Sequence, residues 1–179
     1  MINLGYACIC KTLSDLPKSK RITTNRSMIK RTFKAKGITT HPGPFNKLAS
    51  PKERVVLATI KDLEVQGRMM DLLKQPRSPR AKINIHVGAA YNDKPMALGN
   101  FNRNFERLSD AVKTRLTVEN DDRKSLYSTH ELYKGVYKEI GIPIVFDYHH
   151  HKFRNDGETE EEALRLAVST WNNITLVVH

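Results

Sequence analysis

The chain repeats one pattern: a short apolar run, a polar cluster at its end, then an amphipathic stretch with recognisable helix caps. Apolar runs occur at residues 2–9, 83–87, 115–118, 142–146 and 174–178, with a weaker one at 37–40. Most are nearly continuous rather than alternating, which fits strands buried on both faces of a parallel sheet. The helices between them open with readable chemistry. Ser50-Pro51-Lys52-Glu53 reads as a capping box with proline at the first helical position, starting a helix through about residue 73. Asp93 caps the next helix, whose Leu98, Phe101, Phe105, Leu108 and Val112 share one face. Ser128 with Glu131 forms a second capping box, and Gly141 followed by Pro143 closes that helix. Thr159 with Glu162 forms a third, with Glu160 and Glu161 in the first turn, where the helix dipole favours negative charge.

Strand and helix in regular alternation imply a parallel sheet with right-handed crossovers. A closed (β/α) barrel takes eight such units and about 250 residues, with about 200 as a lower limit. Six runs in 179 residues fall short of that. The expected fold is therefore α/β: an incomplete TIM-barrel-like (β/α) fold with about six parallel strands. There is no repeat, low-complexity tract or clear linker, so residues 1–179 read as one partial domain. Apolar residues at 39% and charged residues at 27% suit a folded domain rather than a disordered chain.

Charge narrows the partners. The formal net charge is +11, and residues 1–40 hold nine Lys or Arg against the single acid Asp15. A basic flank of this kind suits a polyanion, because each cation that neutralises a phosphate releases condensed counterions. Residues 11–36 are expected to form a basic, poorly ordered segment within the domain. The apolar start is broken by Asn3 and Gly5 and lacks the form of a signal peptide, and no run approaches the roughly 20 apolar residues of a membrane span. Cys8 and Cys10 would point to opposite faces of a strand, which disfavours a disulfide between them. These features predict an intracellular protein, cytoplasmic or associated with the nucleoid or nucleus, with no membrane contact. No feature points to a protein partner.

Each apolar run ends in a residue type that binds metals: His41, His86, Glu119, Asp147 with His150, and His179. Any one of them has an ordinary structural explanation as a hydrogen-bonded histidine or a turn carboxylate. Six at corresponding positions are harder to explain that way, since a parallel sheet brings all of them to its carboxyl edge, where barrel enzymes place their chemistry. Mixed imidazole and carboxylate ligands favour Mn, Zn or Fe over Mg or Ca. Clustered divalent ions suit phosphodiester hydrolysis, and the basic flank makes nucleic acid the substrate.

These residues also carry a family likeness. The stretches His41-Pro42-Gly43, Ile85-His86-Val87-Gly88, Glu119-Asn120-Asp121, Asp147-Tyr148-His149-His150 and Thr170-Trp171 resemble UV damage endonucleases, relatives of endonuclease IV among the TIM-barrel metalloenzymes. Leu4-Gly5-Tyr6 and Thr23-Thr24-Asn25-Arg26 look like that family's N-terminus. The resemblance implies incision of double-stranded DNA on the 5′ side of UV photoproducts, using divalent metals, commonly Mn²⁺, with Zn²⁺ or another ion as the alternative. It implies His41, His86, Glu119, Asp147, His150 and His179 as ligands, with Glu119 and His86 central to catalysis. Tyr6, Asn25, Arg26, Pro44 and Phe45 would face the DNA or the lesion.

The sequence also departs from the family's pattern. Pro44 stands where the family has Gln, Phe45 keeps only an aromatic ring, and Val177 replaces a Lys. About a dozen residues separate Thr-Thr-Asn-Arg from His-Pro-Gly, where the family has a strand and a helix, and the family's later His and Glu ligands would follow His179. The expectation is a truncated or internally deleted member. Two other readings stay open: a catalytically inactive basic DNA-binding module, and another TIM-barrel metalloenzyme such as a sugar isomerase. The basic flank and the His-Pro-Gly motif argue against the latter.

Overall fold

The computed structural model describes residues 38–172 and residue 174. The expected strand at 2–9, most of that at 174–178, the basic segment 11–36, Tyr6, Asn25, Arg26, both cysteines and His179 lie outside the described residues. Three parallel strands form a sheet in the order β1 (Ile83–Ile85), β2 (Leu116–Glu119), β3 (Ile144–Val145). Thr40 adds a single parallel bridge to Ile83 on the other side of β1, so the weak run at 37–40 contributes one residue of pairing. The register sets Asn84 beside Thr117 and Glu119 beside Val145.

Side chains alternate along a strand, and here the two faces differ in chemistry. Ile83, Ile85, Val87, Leu116, Val118, Ile144 and Phe146 join the hydrophobic core. Asn84, Thr117 and Glu119 take the opposite phase and are buried too, with Thr117 Oγ1 donating to Asn84 Oδ1 at 2.8 Å. The strands are thus covered on both faces, as the apolar runs imply, but one face carries polar groups paired with each other.

The core side is closed by helices. They are α1 (Glu53–Leu72), α2 (Lys94–Phe105), α3 (Asp110–Lys113), α4 (Thr129–Leu132) continued by a π-helical turn (Tyr133–Tyr137) into α5 (Lys138–Ile140), α6 (Tyr148–Phe153) and α7 (Glu160–Ser169). No helix among the described residues is long and apolar enough to cross a membrane. The capping boxes at Ser128–Glu131 and Thr159–Glu162 form with both reciprocal bonds, and Asp93 accepts from the Met96 N–H. Gly141 ends α5 at φ +73°, a left-handed conformation that glycine adopts without a steric penalty.

Two sequence expectations are corrected. Ser50 and Glu53 make no capping box: Lys52 is the N-cap of α1, Ser50 Oγ accepts from the Lys52 N–H, and the Glu53 carboxylate is held by Arg107 at 2.7 Å. The periodic face from Leu98 to Val112 is not one helix. Helix α2 stops at Phe105, and Ser109 opens α3 with its N–H and hydroxyl both bonded to Glu64 of α1, at 2.7 and 2.6 Å. Leu108 and Val112 still reach the core, so the period survives a break in the backbone.

The π-helical turn is explained by packing. A Cβ on Gly135 would lie 2.6 Å from Leu98 Cδ1, so a side chain there would force Leu98 to shift, and Asn102 Nδ2 donates to the Gly135 carbonyl at 2.8 Å. At the outer side of β3, Ile144 N–H donates to Thr170 Oγ1 at 3.0 Å and the Trp171 indole N–H donates to the Ile144 carbonyl at 2.7 Å. The Thr170-Trp171 pair therefore satisfies strand groups that would otherwise need a further strand.

At the amino end of the sheet Arg115 is fully buried. Its guanidinium donates to the carbonyls of Gln75, Pro76 and Ala111 at 2.6, 3.0 and 2.8 Å and pairs with Asp71 at 2.9 Å. It pins the loop after α1 and the end of α3 to the foot of β2. Replacing it with methionine keeps the volume and orphans those carbonyls. Arg115→Met should destabilise the fold by about 3 kcal/mol, measured as a lower urea midpoint with an unchanged slope.

Candidate metal centre

The centre is built at the carboxyl ends of the strands. Glu119 is the last residue of β2 and only 2% exposed, a position where a carboxylate must be compensated. Asn84 Nδ2 donates to its Oε2, and Thr117 in turn fixes the Asn84 amide. Around that carboxylate stand three imidazoles. His41 Nε2 lies 3.7 Å from Oε2, His86 Nε2 4.0 Å from Oε1, and His150 Nδ1 3.6 Å from Oε1. Ring centroids of His41 and His86 are 5.4 Å apart, and those of His86 and His150 5.5 Å.

Each ring is oriented from behind. His41 Nδ1 is 3.2 Å from the Pro42 carbonyl, which aims Nε2 at Glu119. His86 Nδ1 is 3.1 Å from Asp121 Oδ1, a carboxylate–imidazole contact of the kind that fixes a ligand's tautomer. His150 sits in the first turn of α6, which Asp147 caps by accepting from the His150 N–H at 2.8 Å. The ring Nδ1 of His150 is 2.8 Å from the Asn120 carbonyl, and Asp147 Oδ2 is 3.9 Å from that same nitrogen.

Asn120 sets the spacing between β2 and the Asp147 turn. Its Oδ1 accepts from the Asp147 N–H at 2.8 Å and its Nδ2 donates to the Asp147 carbonyl at 3.0 Å. A fully buried side-chain amide thus extends the β2–β3 ladder beyond the last strand residue.

Two groups of potential ligand atoms result: His41, His86 and Glu119, and Glu119, Asp147 and His150, each with its atoms within 4.8 Å of one another. The nitrogen–oxygen gaps of 3.6–4.0 Å across the cluster exceed a hydrogen bond. They suit groups arranged about a shared ion better than groups bonded to each other. Imidazole with carboxylate, and one carboxylate common to two sets, fits one or two divalent cations of the Mn, Zn or Fe type.

Of the six residues expected at this edge, the structure brings five together, and His179 lies outside the described residues. Pro44 lines a cleft of about 300 Å³ whose walls include His86, Asp121, Lys47 and Arg123, while Phe45 beside it is 81% exposed. Asn84, Thr117 and Asn120, together with the Asp121 contact to His86, were not read as site features from the sequence. The available signal was Asn84 itself, a polar residue inside the apolar run 83–87.

A parallel α/β sheet whose carboxyl edge gathers histidines and carboxylates is the layout of a TIM-barrel-like metalloprotein. The UV-endonuclease UvdE family model matches residues 28–179, and the chain belongs to that family. It is 44% identical over 116 residues to a UV-damage endonuclease of Neurospora crassa, covering 64% of this chain and 17% of that protein. It is 39% identical over 137 residues to a UV DNA damage endonuclease of Bacillus velezensis, covering 76% of this chain and 41% of that protein. The chain thus spans less than half the length of these relatives. The crystal structure of SacUVDE superposes with a TM-score of 0.70 at 34% identity, over 76% of this chain and 45% of that one. A D-tagatose 3-epimerase-like protein superposes with a TM-score of 0.55 at 18% identity, over 87% of this chain and 60% of that one, a likeness of fold alone.

Burial disfavours the charged form of His86, but the Asp121 and Glu119 carboxylates outweigh it and raise the imidazole above its ordinary pKa. A raised folded-state pKa gives stability that is fully present below the unfolded value of about 6.5 and is lost as pH rises through the folded value. In chelator, thermal stability should therefore fall as pH rises above the unfolded value of about 6.5. His86→Gln should flatten that dependence, as read from melting temperatures across the range.

Proposed function

We propose that this chain is a metal-dependent DNA endonuclease that hydrolyses a phosphodiester on the 5′ side of UV photoproducts in duplex DNA. The observation that carries the reading is the convergence of His41, His86, His150 and Asp147 on the buried Glu119 carboxylate, in a chain of the UvdE family. Residues 1–179 act as one partial TIM-barrel domain. His41, His86 and Glu119 would hold one cation, and Glu119, Asp147 and His150 a second, with His179 joining from outside the described residues. Manganese is the expected ion, with zinc as the alternative. Divalent cations at such a site supply Lewis acidity, lowering the pKa of water and neutralising charge on the phosphodiester.

The protein's own residues orient and select. Asp121 holds His86 in the tautomer that offers Nε2 to the site, Asn84 holds Glu119, and Asn120 holds the Asp147 turn. Phe45, exposed next to the cleft residue Pro44, supplies a ring that can stack against a poorly paired base, and Pro44 stiffens the loop that presents it. A damaged pair costs less to extrude, so such a probe favours lesions. Tyr6, Asn25 and Arg26 would contribute further DNA contacts, and chromosomal DNA as substrate sets the site of action inside the cell. The sugar-isomerase alternative gains nothing from a likeness of fold alone.

The test is nicking of UV-irradiated supercoiled DNA with and without Mn²⁺. Nicking that needs both irradiation and metal is expected. Binding that survives chelation with no nicking in any metal would leave only the DNA-binding reading. Because Glu119 belongs to both ligand groups, Glu119→Gln should abolish tight metal binding altogether. His41→Ala and His150→Ala should each weaken one step by about 100-fold or more, given that loss of a mere supporting partner costs about 10- to 100-fold. Calorimetric titration with Mn²⁺ reads both.

A further inference from the structure

We propose that the nucleic-acid path continues past the metal cleft into a second, aromatic and basic cleft that takes one unpaired strand. This cleft, of about 470 Å³, is lined by Phe45, Lys47, Lys52, Arg54 and Tyr91, with Ser50, Val55 and Ala58 between them. Its lining holds three cations and no acid, and none of the three makes an ion pair within the described residues, whereas Arg77, Arg107 and Arg165 are each bound to a carboxylate. Lys47 also lines the cleft that contains His86 and Asp121, so one side chain borders both. Its backbone is anchored to Thr59 at 2.9 Å, and its stem packs over Gly88, where a Cβ would meet Lys47 Cγ at 3.3 Å.

The aromatic half of the cleft is held at a cost. Tyr91 and Asn92 have φ of +52° and +59°, and a tyrosine in the left-handed region is uncommon. Such strain persists where surrounding structure over-determines it and clusters at functional positions. Here it presents Tyr91, 36% exposed, to the same cleft that the exposed Phe45 lines. Rings at this height serve a base that has left its stack, and cations beside them serve the phosphates that follow it. Paired DNA could use the cations but not the rings. The occupant is therefore a single-stranded stretch of DNA, with phosphates on Lys47, Lys52 and Arg54 and a base on Tyr91. The inference rests on the proposed nuclease reading for its substrate, but its test needs no metal and so can fail separately.

Fluorescence anisotropy of the full chain with a labelled oligothymidylate in EDTA, across a salt series, tests it. Lys52→Gln/Arg54→Gln should reduce the slope of log affinity against log salt by about 1.4, at about 0.7 per lost phosphate contact. Lys74→Gln/Arg80→Gln, an equal loss of charge at the amino end of the sheet, should leave the slope as it is. Tyr91→Ala should weaken binding about 5- to 100-fold, and Tyr91→Phe should restore it. Three results would overturn the proposal: no binding by the wild type at low salt, equal effects from the two double variants, or indifference to Tyr91→Ala. Loss of duplex binding in the Lys52/Arg54 variant without any single-strand effect would also overturn it, assigning the patch to paired DNA.

Discussion

A carboxylate buried to 2% exposure at the tip of the central strand governs the rest of this site. Left alone, a charged Glu119 would be expensive in a low-dielectric interior. Asn84 donates to it, and imidazoles surround it at nitrogen–oxygen distances of 3.6–4.0 Å. That geometry favours positive charge between the groups, whether as a proton on His86 or as a divalent cation. The same electrostatics that raise the His86 pKa therefore make protons and metal compete for one space.

The two ends of the sheet divide the work. At the amino end, Arg115 uses its guanidinium to tie carbonyls from a loop and a helix terminus, which is stability without accessible chemistry. At the carboxyl end the imidazoles of His41, His86 and His150 face the Glu119 carboxylate across gaps of 3.6–4.0 Å. Parallel strands make this division natural, because every strand delivers its last side chain to the same edge and each following loop can be varied without disturbing the ladder. Asn120 shows how little is needed to extend the edge: one amide continues the β2–β3 pairing and carries Asp147 into place.

Much of this was legible in the sequence, for identifiable reasons. The strands at 83, 116 and 144 announced themselves by apolar runs, and two capping boxes formed as read because their partners lie three residues apart and need nothing else. The box at Ser50–Glu53 failed because Glu53 has a competing partner, Arg107, 54 residues away, which no local pattern reveals. The break between Phe105 and Ser109 has the same origin, since Glu64 of α1 captures Ser109. The candidate ligand residues were visible because strand ends are marked by the chain itself. Their supporting partners were hidden, because Asn84, Thr117 and Asn120 act through register, and register is set by neighbours far along the chain.

Register also explains why the supporting residues have so little freedom. Shifting β1 by one residue against β2 would move Asn84 away from Thr117 and turn His86 from the site face to the core face, since side chains alternate with period two. The apolar residues on the other face forbid that slip: Ile83 and Ile85 would have to leave the core together. The precision of the metal centre is thus enforced from behind by the hydrophobic effect. A conservative change in the core, such as a smaller residue at Val118, would loosen Glu119 before it unfolded the chain, because the adjacent candidate ligand depends on a strand position that core packing helps to hold.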